Sequence, residues 1–150
     1  MKKFFYLILI MGLLYGGVAS AKLKGISKAS LLIEELPKAA ESCGITRDKI
    51  ETSVRYILSN SKMKIVEDKK FRYPTLYIKV NVDYNSICYS STRVELFRYI
   101  KDPDSSNWGD FIYYFDGGIS SGGKSNHGPT AIIQLEDILK NFVVKHSQEN

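Results

Sequence analysis

The sequence contains few of the residues from which metal and catalytic sites are built. Its 150 residues include two histidines, two cysteines and one tryptophan. His127 and His146 lack the i, i+4 spacing that places two imidazoles on one helix face to hold zinc. The adjacent carboxylates of Glu34 and Glu35 would point to opposite faces of a strand. We therefore expect no catalytic residue, no metal and no cofactor, and we expect that the protein is not an enzyme.

A long apolar run is also absent. The longest apolar stretch, residues 4–15, follows two lysines and ends in glycines, whereas a membrane-spanning helix needs about 20 apolar residues. The small-residue triplet Ala19-Ser20-Ala21 comes next. A basic start, a short apolar centre and small residues at the end are typical of a secretory signal peptide.

We predict cleavage of this signal peptide between Ala21 and Lys22. Residues 1–21 are then the signal peptide, and residues 22–150 form a single domain. The mature protein is expected to be exported, either periplasmic or extracellular, without stable insertion into a membrane.

Charge of one sign is not in large excess. Without Lys2 and Lys3, 19 basic residues stand against 16 acidic ones. So mild a net charge does not indicate binding to nucleic acid, which an exported protein rarely meets. The partners that the composition leaves open are a protein, a peptide or a glycan.

Cys43 and Cys88 are the two cysteines of the chain. An even number of cysteines in an oxidising compartment favours a disulfide. Closing the loop of 44 intervening residues would contribute about 4 kcal/mol to stability on the chain-entropy model. The alternative is two buried thiols that never meet, since a disulfide requires Cα atoms within about 7 Å.

The first half of the mature chain predicts a strand, a helix and a second strand. Residues 31–33 are apolar and suited to a short strand that continues to about Leu36, and Pro37 ends it or opens a short helical turn. Thr46 is a good helix cap, with Asp48 in the first turn, and apolar residues then recur at helical spacing. We predict a helix over residues 47–60 and a short strand over residues 63–66.

Strict alternation of apolar and polar residues over residues 75–83 is the clearest structural signal. It predicts a strand of an antiparallel sheet with one face in water. Strands over residues 87–101 and 108–115, joined by polar turns, complete a meander. Residues 116–128 are rich in Gly and Ser and predict a loop, and Pro129 suits the first position of a helix that ends near His146.

These elements predict the α+β fold class. We expect an antiparallel sheet of four to five strands with two helices packed on one face. Their order is strand, helix, strand, strand, strand, strand, helix.

Residues 118–125 match the phosphate-loop pattern Gly-x-x-x-x-Gly-Lys-Ser. Such a loop requires a helix that begins at its lysine, so that backbone N–H groups face the phosphates. We place the helix start at Pro129, several residues too late, and the preceding strand in an antiparallel meander. Nucleotide binding is therefore not predicted, and the segment is interpreted as a strand-to-helix loop.

Aromatic and basic residues alternate with the core positions of the central strands. If the helices cover only the other face of the sheet, these side chains form an exposed surface of the kind that binds partners. The tyrosines could instead pair across strands without a ligand, or the C-terminal helix could cover this face. The candidate partner-binding residues are Tyr77, Lys79, Tyr89, Arg93, Phe97 and Tyr99.

Several segments together resemble a family of small exported bacterial α+β proteins with no known activity. They are residues 43–50, 54–58, 63–66, 74–82, 93–97 and 135–142, together with Trp108. The resemblance covers most of the mature chain and implies no activity, cofactor or catalytic residue. The topology is also similar to small α+β modules of envelope secretion complexes, which is an analogy of fold alone.

The predicted function is that of a non-catalytic envelope binding or assembly module that uses the aromatic strand face. The alternative is a small secreted inhibitor of a hydrolase, and an enzyme is the least favoured of the three classes. Such an inhibitor would present a protruding loop, for which residues 117–128 with Lys124 and His127 are the candidate.

Overall fold

The described part of the chain forms an open sheet with its helices on one side. A computed structural model describes residues 23–68 and 72–150. The predicted signal peptide and its cleavage site at Ala21 and Lys22 lie outside the described residues. The strands are β1 (Lys28–Ile33), β2 (Lys64–Ile65), β3 (Thr75–Asn85), β4 (Ile87–Lys101) and β5 (Trp108–Gly122). The helices are α1 (Ala39–Ser42), α2 (Arg47–Ser59) and α3 (Lys124–Glu149).

The strand order in the sheet is β2-β1-β3-β4-β5. The predicted α+β class is confirmed, and β3, β4 and β5 form the predicted antiparallel meander. The sheet is not antiparallel throughout, because β1 runs parallel to both β2 and β3. The chain leaves β1, passes through α1 and α2 and returns first as β2, parallel to β1, as in other crossover connections, and β3 then runs in the same direction on the other side of β1.

Helix α2 begins and ends close to the predicted residues. The hydroxyl oxygen of Thr46 accepts a hydrogen bond from the backbone N–H of Lys49 at 3.4 Å, and Asp48 lies in the first turn. Ile50, Val54 and other residues at helical spacing are buried. The N-cap and the spacing of the apolar residues together explain the accuracy of this prediction.

The core lies between the helices and one face of the sheet, which we call the inner face. Leu76, Ile78, Val94 and Leu96 point to this face and are fully buried. Phe142 of α3 packs over the ring of Tyr114 of β5, with ring centroids 4.9 Å apart. Helix α3 therefore covers the inner face, and within residues 23–68 and 72–150 no helix covers the opposite face, which we call the outer face.

The C-terminal boundaries differ most from the prediction. Residues 116–122 belong to β5, not to a loop, because β4 is long enough to offer them backbone partners as far as the pair of Cys88 and Gly122. Helix α3 begins at Lys124, so Pro129 lies inside it and not at its start. A proline this early in a helix forfeits one backbone hydrogen bond.

Gly128, next to that proline, lies where α3 approaches another part of the backbone most closely. The helix passes so close to the turn at Gly44 that a Cβ atom on Gly128 would lie 2.4 Å from the Gly44 carbonyl oxygen. Only glycine fits this approach of one backbone to another. Gly128 thus allows α3 to pack closely on this turn, and the Gly-Pro pair lies within the helix and not at its first turn.

Candidate functional site on the outer face of the sheet

Strand register places the predicted partner-binding residues together. Tyr77 lies opposite Glu95, Lys79 opposite Arg93, and Asp83 opposite Tyr89. Residues directly opposite each other in an antiparallel pair share one face, so these side chains all lie on the outer face. Continued alternation along β4 adds the last two predicted residues, Phe97 and Tyr99. All six predicted residues therefore occupy one surface, while their binding role stays a prediction.

A cross-strand cluster of Glu34, Tyr77 and Lys79 occupies one part of the outer face. The Tyr77 hydroxyl donates to one oxygen of the Glu34 carboxylate, and the Lys79 ammonium lies 3.0 Å from the other. These two hydrogen bonds, first that from Tyr77, lower the pKa of Glu34. Partial burial and the bond to Glu34 raise the pKa of Tyr77 to about 12. The cluster is therefore ionised at the carboxylate and neutral at the phenol at physiological pH.

A second ion pair joins Arg93 to Glu95 on the same strand. Glu95 is only 5% exposed, although it points to the outer face. The guanidinium of Arg93 also lies over the ring of Phe115, with 5.4 Å to the ring centroid. Each of the two cations thus has an acidic partner, so this part of the surface carries no net charge and favours no strongly charged ligand.

Large exposed apolar residues extend the candidate surface beyond the predicted set. Ile119 is 80% exposed, Phe115 61% and Trp108 60%. The rings of Tyr99 and Trp108 stack with centroids 5.5 Å apart, and Tyr77 meets Phe97 edge to face. The residues that sequence reasoning missed on this face are Leu32, Trp108, Ile112, Phe115 and Ile119.

Part of the missed surface belongs to a protruding hairpin, which we call the arm. Strand β3 pairs with β4 only as far as Phe97, so residues 98–111 of β4 and β5 form a two-stranded extension. The signal for this arm was available in the sequence: the strand predicted over residues 87–101 is longer than its predicted neighbour over residues 75–83. The missed Phe115 and Ile119 depend on the pairing of β5, which local composition did not indicate.

An open depression of about 610 Å³ lies in the middle of the outer face. Phe115 and Ile119 flank it, and Gly117 between them contributes no side chain. Lys79, Asn81 and Arg93 supply polar groups at its edge. Apolar walls with a few polar groups at the rim are the composition of protein interfaces.

Residues 118–125, which match the phosphate-loop pattern, do not have the geometry of a phosphate loop. The helix does begin at Lys124, as a phosphate loop requires, so the sequence argument based on a late helix start is wrong. However, residues 118–122 are strand residues paired with β4, from Thr92 opposite Gly118 to Cys88 opposite Gly122. A segment extended in an antiparallel ladder does not form the curled loop that encloses a phosphate. The pattern is thus accounted for as a strand edge leading into a helix.

The same residues also match Gly-x-Ser-x-Gly, the pattern around a hydrolase nucleophile, which sequence reasoning overlooked. Its serine, Ser120, lies within β5 and not on the sharp strand-to-helix turn that exposes such a nucleophile. Ser120 is 9% exposed, and its hydroxyl shares a 2.8 Å hydrogen bond with that of Ser90. This arrangement joins two strands and does not present a nucleophile.

The inhibitor loop expected at residues 117–128 does not exist as a loop, because all its residues except Gly123 belong to β5 and α3. Lys124 lies over the ring of Tyr84, 4.1 Å from its centroid. His127 is fully buried, and within the described part of the chain neither of its ring nitrogens has a hydrogen-bond partner. Desolvation by burial lowers the pKa of His127. Neither side chain is presented to a partner as a protruding loop would present it.

Cys43 and Cys88 form a disulfide, with Cα atoms 5.9 Å apart. The bond ties the turn after α1 to the start of β4, and both residues are fully buried. The alternative of two separate thiols is therefore wrong.

Comparison with known proteins identifies no family for this chain. The sequence matches no protein-family model and no curated protein. A crystal structure of a minor lipoprotein from Acinetobacter baumannii is similar over 83% of this chain and 93% of that chain, at 15% identity and a TM-score of 0.40. The resemblance to a family of small exported proteins stays a prediction. Among the described residues, no helix is long and apolar enough to cross a membrane.

Proposed function

We propose that the protein is an exported, non-catalytic module that binds a partner protein through the outer face of its sheet. The observation that carries the proposal is the row of exposed apolar side chains along β4 and β5, on a face that no helix of the described residues covers. Patches of this kind on a folded domain mark interaction sites. Its mixture of aromatic residues, apolar residues and paired charges matches the composition of protein interfaces better than that of an anion site.

The buried disulfide supports export. Disulfides form and persist in oxidising compartments and are rare in the cytosol. Since Cys43 and Cys88 are joined within the core, folding to this structure requires an oxidising environment or an oxidant. This agrees with a signal peptide at residues 1–21.

Site-specific photo-crosslinking in the exporting cell tests the proposal. A photoreactive phenylalanine analogue at position 115 should form adducts with a partner protein. The same analogue at position 133 is the matched control, because Ile133 is an apolar residue of similar exposure, 58%, on helix α3. In a pull-down of that partner by proteins without the analogue, Phe115→Ser and Ile119→Ser should each reduce the amount captured at least tenfold, and Ile133→Ser should not. Equal adducts from positions 115 and 133 would contradict the proposal.

Inhibition of a hydrolase is a second candidate, and the arm favours it. The turn at residues 102–107 is held by Asp102, whose carboxylate accepts from the N–H of Asp104 and the hydroxyl of Ser105, both at 2.8 Å. These bonds lower the pKa of Asp102 and rigidify the tip of a protruding hairpin, which is the geometry that inhibitors present. Replacing residues 102–107 by Asn-Gly should abolish inhibition of a sensitive hydrolase if this function is correct. Peptidoglycan hydrolases and serine proteases are the classes to assay.

A further inference from the structure

Strand β1 has an open edge beyond the end of β2. It pairs with β3 from Ser30 to Ile33, but with β2 only at Lys28 and Ala29. Within the described parts of the chain, residues 31–33 therefore have a strand neighbour on one side only. An edge without a neighbour leaves backbone donors and acceptors available to another chain.

The hydrogen bonds of β1 show which backbone groups face this edge. Ser30 N–H donates to the Pro74 carbonyl and Glu34 N–H to the Ile78 carbonyl, both at 2.9 Å, so the even-numbered residues bond to β3. The Ala29 carbonyl accepts from Val66 N–H on the other side. By alternation, Leu31 and Ile33 direct their N–H and C=O groups to the open edge.

One of these groups already has a partner. The guanidinium of Arg47 donates to the Ile33 carbonyl at 2.9 Å. Among the described residues, no backbone partner is found for three groups of the open edge: the N–H and C=O of Leu31 and the N–H of Ile33. Arg47 thus marks one end of the open edge. The hydrogen bond from Val66 N–H to the Ala29 carbonyl marks the other end.

A groove of about 590 Å³ lies along this edge. Leu31, Leu32, Ile65 and Val66 supply apolar surface, while Arg55 and acidic residues after β2 supply charge. Arg55 is engaged in an ion pair with Glu51 at 2.7 Å. The groove therefore joins unpaired backbone groups to an apolar wall, with charges of both signs at its rim.

We propose that this groove binds an extended peptide segment of a partner protein, which adds to β1 as a strand in line with β2. Backbone groups that lack a partner are complemented by another extended backbone, and a strand neighbour supplies donors and acceptors at the required spacing. The apolar wall selects apolar side chains at alternate positions of the peptide. The mixed charge of the rim favours a peptide of low net charge. This site is separate from Phe115 and the arm.

A library of random heptapeptides displayed on phage is the probe. Peptides selected on the mature protein should bind Leu31→Pro at least tenfold more weakly than the wild type. Proline at position 31 removes the N–H that faces the groove and leaves the bonds of β1 to β3 in place, as on other edge strands. Leu31→Ala is the matched control, because it shortens the same side chain and keeps the N–H. Phe115→Ser should bind the peptides as the wild type does.

Two further measurements do not depend on the folding of Leu31→Pro. On addition of a selected peptide, hydrogen exchange of the Leu31 and Ile33 amides should slow at least tenfold. Methylation of the peptide's backbone nitrogens should abolish binding when it falls on the alternate residues whose N–H groups face β1. Methylation of the residues between them should leave binding unchanged. The proposal is overturned if no heptapeptide is enriched, if binding to a folded Leu31→Pro is unchanged, or if the protected amides lie elsewhere.

Discussion

At the scale of single residues, Glu95 is the most constrained acid of the outer face. It is almost fully buried, and Arg93 is its ion-pair partner among the described residues. Arg93→Ala would leave a buried carboxylate without its counter-charge, which is costly even where the pair itself contributes little. We expect the free energy of unfolding in urea to fall by about 2 kcal/mol, less than for a fully buried pair because Arg93 is half-exposed. The double variant Arg93→Met, Glu95→Met should recover most of this loss, and a double variant as unstable as Arg93→Ala would contradict the explanation.

His127 should make stability dependent on pH. Burial lowers its pKa in the folded state, so below pH about 6.5 the unfolded chain takes up a proton that the folded chain refuses. Stability is therefore full above pH about 6.5 and is lost as the pH falls towards the folded-state pKa. The loss should approach about 1.4 kcal/mol per pH unit.

Urea unfolding of the wild type and His127→Leu between pH 5 and 7.5 measures this effect. The variant lacks the titrating ring, so the difference in unfolding free energy between the two proteins should change with pH only below about 6.5. Parallel curves for the two proteins over the whole range would show that His127 does not contribute.

At the scale of elements, the contact of α3 with the turn at Gly44 should tolerate no side chain. Alanine normally stabilises a helix relative to glycine by about 1 kcal/mol. At position 128, however, its Cβ would lie 2.4 Å from the Gly44 carbonyl oxygen, so α3 must shift. We expect Gly128→Ala to destabilise the protein by about 2 kcal/mol in thermal or urea unfolding. Gly123→Ala is the control, because no atom lies within 4 Å of its added Cβ, and it should change stability little.

The elements that the sequence predicts well are those with a strong local period. Strand β3 and helix α2 have apolar residues at spacings of two and of three to four, and each buries the face that its spacing implies. The end of β5 could not be predicted in this way, because Gly117, Gly118 and the serines that follow have weak strand preference. Pairing with β4 overrides that preference, and it is a long-range property that no local window contains.

The residues of the candidate site also divide into those that a local period predicts and those whose position depends on long-range strand pairing. Tyr77, Lys79 and Arg93 could be assigned to one surface because alternation places them opposite the core residues. Phe115 and Ile119 could not, because their position depends on the register of β5 and on the bulge between Leu96 and Phe97. The open edge of β1 was likewise beyond prediction, since it depends on which strands lie beside β1 and where β2 ends.

At the scale of the whole molecule, the disulfide joins the two halves of the fold. Cys43 follows α1 and Cys88 begins the β4–β5 hairpin, so the bond restricts a loop of 44 residues in the unfolded chain. The variant Cys43→Ala, Cys88→Ala should lose about 4 kcal/mol of unfolding free energy by the chain-entropy model. Urea unfolding with and without a reductant checks this, because reductant should destabilise the wild type and leave the variant unchanged. A variant as stable as the oxidised wild type would contradict the model.

The two ends of the described fold meet. The side-chain amide of Asn150 donates to the Leu23 carbonyl at 3.0 Å, and the Leu23 N–H donates to the carboxylate of Glu149 at 2.5 Å. A few glycines could therefore close residues 23–150 into a ring without displacing a strand. Such a ring could be reopened within residues 102–107 with every strand pair and helix kept, so this architecture does not require that synthesis begin at β1.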